Sequence, residues 1–300
     1  MSIVVCKLPK AGLGNQLFPL SNALVFAKLN SLKVIVIGYH QLKLGPYLRN
    51  EKSKRRYRGY FKFQKNIIGE YLDCLKIKAL QKRYESVYES PVDKLCPEAL
   101  NDRIFFFEKM PSYHDYFIQL KPHRELVKHL LYQQLNPWII KEVDKAAKPV
   151  IGVHIRMGDF RKLEEGEVFK GGHVRTPEDY FIDIINSIRK INGNILPVSV
   201  FTDGRKSEFK ELFKPGKINL VEGNADIVDL LLLSKSKIIV SSTGSTFSYW
   251  AGFISDAAFI KHPDHVHQPI WPESFKENNY EGPFDKNNDL LLQQIRNIGI

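Results

Sequence analysis

Between residues 150 and 260, short β-branched runs alternate with helical segments, and this alternation constrains the fold more than any other feature of the chain. Residues 150–156, 197–202, 218–222, 237–241 and 257–260 read as strands, and 176–190, 206–213, 227–234 and 246–255 carry helical spacing. Thr176 reads as an N-cap with Pro177 at the first helical position, and Asp226 as the cap of the run that follows it. Such alternation builds a parallel sheet covered by helices on both faces. The chain also opens this way, with a strand at 3–8, a turn containing glycine, a helix reaching Asn30 and a strand at 33–37. From 41 to 98 the pattern weakens into a basic, aromatic stretch with helical patches near 67–82. Helices are expected at 124–134 and 137–147.

The chain has 300 residues, more than one core usually holds, so two domains are expected. Ala146-Ala147-Lys148-Pro149 is the best linker. The expected architecture is α/β, with two Rossmann-like domains facing a central cleft, 1–148 and 149–270, and a tail, 271–300, packing across both. The tail ends in an amphipathic helix at 288–298. Ligands in such sheets bind beyond the carboxyl ends of the strands, so the informative residues belong in those turns.

Three clusters lie there. Gly12-Leu13-Gly14-Asn15-Gln16 joins the first strand to its helix, offering close backbone approach and free N–H groups for an anion, or simply a tight turn with Asn15 as N-cap. It lacks the full dinucleotide fingerprint, since Leu17 and Pro19 follow, and no acidic residue ends the next strand. In His154-Ile155-Arg156-Met157-Gly158-Asp159, strand alternation carries His154 and Arg156 to one side, with Arg156 at the carboxyl edge. A guanidinium there holds a diphosphate by paired hydrogen bonds, and Asp159 orients it or a ligand hydroxyl; the alternative is a buried Arg156–Asp159 pair. In Ser241-Ser242-Thr243-Gly244-Ser245-Thr246-Phe247, hydroxyls and helix N–H groups form a phosphate cradle or an ordinary N-cap. Phe247 and Trp250 share a helix face, as core aromatics or as stacking partners. Asp203, closing another strand, holds a base or ribose or caps the next turn.

Composition narrows the partners. The net charge of +11 attracts nucleic acid, anionic headgroups or phosphorylated substrates. The basic run 52–65, interleaved with Tyr57, Tyr60 and Phe61, grips an anion or forms a solvated loop; the loop is the expectation. Three scattered cysteines argue against a disulfide framework and for a reducing compartment. No apolar run approaches the ~20 residues of a membrane span. A cytoplasmic location is expected, with contact at the inner membrane face left open. His262, His265 and His267 match no zinc spacing, and no Asp-x-Asp pair occurs; no metal is expected.

Taken in order, the three clusters resemble the α-1,2-fucosyltransferases of glycosyltransferase family 11, and more widely the α-1,6- and protein O-fucosyltransferases. Gly12–Gln16 is similar to the family's opening motif, His154–Asp159 to its His-x-Arg-x-Gly-Asp signature, and Ser245–Trp250 to its serine–phenylalanine–tryptophan segment. Met157 stands where a second arginine is common, and Gly244 where an asparagine is. The resemblance implies a GT-B fold and inverting, metal-independent transfer of L-fucose from GDP-fucose, with no cofactor. The acceptor would be an oligosaccharide or glycolipid ending in galactose, modified at O2, with no nucleic acid partner. Arg156 would act on the leaving diphosphate with Ser242, Ser245, Thr246, Phe247 and the helix N–H groups around it. His154 and Asp203 would hold the nucleoside, with Asp159 supporting Arg156. Gly14 and Asn15 would face the reacting sugar. The rival expectations are another nucleotide-sugar donor, or a non-catalytic glycan- or RNA-binding protein.

Overall fold

The computed structural model describes residues 2–41, 44–48, 54–264 and 268–299. Lys52, Ser53, His265 and His267, named above, lie outside the described residues. The chain divides into two compact units. One comprises Met1–Lys43 and Arg55–Ile140, and the other Leu44–Lys54 and Lys141–Ile300.

In the first unit, strand β1 (Ile3–Lys7) leads into helix α1 (Leu13–Leu29) and strand β2 (Lys33–Ile37). Helix α2 (Ile67–Gln81), strand β3 (Glu85–Tyr88), strand β4 (Arg103–Phe107) and helix α3 (Arg124–Gln134) follow. The sheet is wholly parallel in the order β2-β1-β4-β3. Its central strands are apolar on both faces, as a sheet covered on both sides requires. Ile3, Val5, Ile104 and Phe106 face Ile77 of α2. On β4, Phe105 and Phe107 meet Phe26 of α1 at 4.8 and 5.3 Å between ring centroids. Helix α1 is buried nearly all round and keeps Pro19 in its second turn.

The aromatic part of the basic run is a structural strap rather than a solvated loop. Tyr57, Tyr60 and Phe61 are buried. Phe61 pairs with Leu135, the Lys62 N–H donates to the Gln134 carbonyl at 2.8 Å, and the Asn136 N–H donates to that of Tyr60 at 3.0 Å. The large apolar surface of these rings outweighs the exposure their basic neighbours favour.

The long segment of the second unit begins within helix α4 (Pro137–Lys145), ahead of the expected 148/149 boundary. It continues with β5 (Ile151–Ile155), α5 (Glu178–Asn192), β6 (Val198–Thr202) and β7 (Ile218–Leu220). Then come α6 (Asp226–Leu233), β8 (Ile238–Ser241), α7 (Thr246–Ile254), β9 (Ala258–Lys261), β10 (Glu281–Pro283) and α8 (Asp289–Arg296). The sheet order is β10-β9-β8-β5-β6-β7, all parallel. The strand order reverses direction on either side of β5, the topology of a doubly wound dinucleotide-type sheet. Gly152 in β5 lets α6 pack close, because a Cβ there would lie 2.2 Å from Ser236 Oγ and 2.7 Å from Leu233.

The segment 271–300 lies within the second unit. It supplies the sixth strand, β10, and the core residues Leu291, Ile295 and Ile298. Two caps also differ from expectation. Pro177 is the N-cap of α5, and Thr176 turns away to accept the Thr243 N–H at 3.2 Å. Ala225, not Asp226, caps α6. The run 206–213 gives only a single 3-10 turn, Lys206–Glu208.

Candidate functional site

The turns leaving β5 and β8 lie side by side at the carboxyl edge of the second sheet, where a ligand crevice forms. Backbone bonds fasten them together. The Ser242 N–H donates to the His154 carbonyl at 3.0 Å, and the Arg156 N–H to Ser242 Oγ at 3.1 Å. Ser242 is therefore the clasp between the turns, its hydroxyl oxygen accepting from the backbone.

The Arg156 side chain is 21% exposed. Its Nη1 donates to Asp203 Oδ2 and its Nη2 to Asp159 Oδ1 at 2.5 Å, with the Phe160 ring centroid 5.7 Å from the guanidinium carbon. Asp203 Oδ1 accepts two further donors, the N–H groups of Met157 at 2.7 Å and Gly158 at 3.1 Å. Both oxygens of Asp203 thus help to shape the turn and aim the guanidinium. Asp159 is the more exposed carboxylate of the two, 36% against 16%. Met157 points the opposite way, buried in the core and tight against Gly204, where an added Cβ would lie 2.7 Å from its Cγ. At this position the side chain faces the core, not the ligand edge.

His154 is buried and stacks on Phe247, with centroids 4.9 Å apart and planes at 22°. Among the described residues its Nδ1 finds no hydrogen-bond partner. Burial pushes the imidazole pKa down to about 3; Asp203 works weakly against this and Arg156 with it. The ring is therefore neutral at ordinary pH. Phe247 is half-buried, whereas Trp250 is sealed in the core.

Gly244 turns the chain into α7 with φ +65°, a left-handed conformation that favours glycine over the asparagine or larger residue. Its N–H donates to Tyr249 Oη at 3.0 Å. Ser245 is the N-cap residue but makes no side-chain capping bond, and the first backbone bond of the helix runs from the Tyr249 N–H to the Ser245 carbonyl at 3.2 Å. The start of the helix, at Thr246, carries the positive end of the helix dipole. In chemical terms, the edge offers an aimed guanidinium, helix-start donors, small hydroxyls and an aromatic wall, a set suited to an oxyanion attached to a planar ring.

In the first unit, α1 starts at Leu13 with Gly12 as its N-cap. Gly14 and Asn15 therefore lie inside the first turn, so Asn15 is not the cap, and Gly12 and Gly14 both have ordinary negative φ. The Leu13 N–H is satisfied from 44 residues away by Tyr57 Oη at 2.9 Å, and Gln16 Nε2 holds the Pro9 carbonyl at 2.9 Å. Composition gave no sign of Tyr57's role, which comes from the strap.

Other candidate polar groups fall into structural tasks. Arg175 donates to the Phe160 carbonyl at 3.0 Å and to Glu208 at 2.8 Å, steadying the loop after β5. His262 is half-buried against Tyr180 and Phe169. Among the described residues, no group of three or more His, Cys, Asp or Glu side chains gathers as a metal site. Among them too, no helix is long and apolar enough to cross a membrane.

The family model described as glycosyl transferase family 11 matches residues 7–277. No curated relative matches the chain. Among solved structures, fucosyltransferase NodZ from Bradyrhizobium is similar at 14% identity and a TM-score of 0.50, covering 88% of this chain and 97% of that one. POFUT1 in its apo form is similar at 15% identity and 0.50, covering 86% and 97%. NodZ α-1,6-fucosyltransferase co-crystallised with GDP is similar at 14% and 0.49, covering 89% and 97%. The first two similarities bear on the fold: two parallel α/β units of the GT-B kind.

Proposed function

The chain belongs to glycosyltransferase family 11, and we propose that it transfers L-fucose from GDP-fucose to galactose O2 of an oligosaccharide or glycolipid acceptor, inverting the anomeric centre without a metal. The observation that carries the donor half of this reading is Arg156, aimed by two carboxylates beside the opening of α7. The fucosyltransferase NodZ shares the fold, which favours fucose over other sugars. In this reading the diphosphate lies over the start of α7 and takes up Nη2 of Arg156 in place of the more exposed Asp159. Neutral His154 and Phe247 border the nucleoside.

The reaction follows from that placement. An acceptor hydroxyl attacks the anomeric carbon from the face opposite GDP. The bond from that carbon to the β-phosphate oxygen breaks, its electron pair leaves on GDP, and the hydroxyl gives up its proton. Negative charge grows on the diphosphate, and a pre-aimed guanidinium with helix-start donors stabilises it without reorganisation. Gly14 and Asn15, at the carboxyl edge of the first sheet, position the sugar or acceptor.

The test is a thermal-shift comparison of GDP, UDP and dTDP, followed by GDP-release assays with galactose-terminated acceptors in the presence of EDTA. GDP alone should raise the melting temperature, and turnover should survive EDTA. A shift by UDP or dTDP instead would replace the donor, and loss of activity restored by Mn²⁺ would remove the metal-free mechanism.

A further inference from the structure

Helix α2 covers one face of the first sheet through Ile77 and the half-buried Leu80, yet its other side carries a continuous apolar surface. Ile67, Ile68, Tyr71, Leu72 and Leu75 are 43–70% exposed. Their spacing places them on a single arc over the first two and a half turns. Five large side chains contiguous on one helix form a patch of the kind monomeric proteins seldom leave in water.

The charges around the patch choose its partner. Beyond Leu75 the outward surface becomes basic, with Lys76, Lys78 and Lys82 exposed and Arg83 following. The helix has two acids, and neither opposes an anionic surface. Glu70 is buried, accepting the N–H groups of Gly38, Tyr39 and His40. Asp73 is held by Lys65 at 2.6 Å. The net charge of the whole chain, +11, adds long-range attraction to the same kind of surface.

We infer that the outer face of α2 seats the protein on an anionic lipid bilayer, with its N-terminal turns in the headgroup–acyl boundary and its C-terminal lysines on lipid phosphates. A second copy of the chain fits less well. Five side chains fall short of the ~20–30 residues a side of a standard interface. Nucleic acid accounts for the lysines but leaves the aliphatic residues in water. A bilayer satisfies both at once, as interfacial helices do.

The experiment sediments the full-length protein with vesicles of phosphatidylcholine alone or of phosphatidylcholine with phosphatidylglycerol. The protein should pellet with the anionic vesicles, less so as salt rises, and remain in solution with the neutral ones. The pair Ile68→Ser and Leu72→Ser removes the apolar footing, and the pair Lys78→Glu and Lys82→Glu reverses the charge. Each should lower partitioning about tenfold or more, with melting temperature and elution volume unchanged. Because all four side chains are exposed, the second pair decides the matter if the first fails to fold. Three results would overturn the inference: wild-type protein that stays in solution with anionic vesicles, full binding by the charge-reversed pair, or a concentration-dependent dimer abolished by Ile68→Ser and Leu72→Ser.

Discussion

Asp203 explains why Arg156 would suit the charge that develops in the proposed reaction. A flexible arginine would spend much of its interaction energy on losing rotamer freedom. Here Asp203 binds the turn with one oxygen and the guanidinium with the other, so that loss is met during folding. Arg156→Ala should therefore lower kcat by about 10²–10³, the effect of removing one transition-state donor. Steady-state kinetics on a variant with a wild-type melting curve checks this, and a near-normal rate would exclude the role. The neighbouring His154 makes stability depend on pH. Its native pKa lies near 3, below the ordinary 6.5, so between those values the unfolded chain binds a proton the native protein refuses. Stability should thus fall as pH drops through this window, by about 1.4 kcal/mol per pH unit from this group. Wild type and His154→Gln, unfolded by urea at pH 7 and pH 5, should differ in slope, with the variant losing less. Equal slopes would place the acid sensitivity elsewhere.

At the scale of elements, α1 shows a cap delivered by tertiary structure. Gly12 has no side chain to offer, and the Leu13 N–H is met by the Tyr57 hydroxyl. Tyr57→Phe keeps the buried ring and removes the hydroxyl, so it should cost about 1 kcal/mol, measured as a lower urea midpoint at unchanged m-value. An unchanged midpoint would show that the hydroxyl does not hold the helix start. The same contrast between local and distant signals decides what was legible in the sequence. β5, β6, β8 and β9 were readable because each is a short β-branched run flanked by helices, and the clusters after β5 and β8 followed from strand order. β4 was missed although its Ile-Phe-Phe-Phe core is strongly apolar. It follows an irregular stretch and finds its partner β1 about a hundred residues away. Asp203 was readable as a residue at a ligand edge but not as the organiser of the neighbouring turn, because its donors come from 45 and 46 positions earlier.

At the scale of the molecule, the second unit is complete only with its last thirty residues, which composition alone presents as a polar appendage. Glu281 shows why. Its Oε1 accepts from Lys261 Nζ at 2.8 Å and from the Ile270 N–H at 2.8 Å, and its Oε2 from the Trp271 N–H at 3.2 Å. The Lys261 and Glu281 side chains are only 8% and 1% exposed. A strand as short as Glu-Gly-Pro has little propensity of its own, so this pair and the Phe259 N–H, donating to the Tyr280 carbonyl at 2.7 Å, hold β10 in place. Trp271, fully buried, donates from Nε1 to the Gly252 carbonyl at 2.9 Å, and Asn192 Nδ2 holds the carbonyls of Ile295 and Ile298. Ending the chain at residue 270 would break this enclosed pair and take β10 off the edge of the sheet. It would also strip Leu291, Ile295 and Ile298 from the core, each worth roughly 1.5–3 kcal/mol of burial. Together these exceed much of the ~5–15 kcal/mol that holds a domain folded. A chain of residues 1–270 should therefore be recovered as insoluble protein or lack a cooperative thermal transition, whereas Glu281→Gln should fold with a markedly lower melting temperature. Circular dichroism melting of the two checks the account. A soluble 1–270 chain melting like the wild type would show that β10 and α8 lie on a unit already stable without them.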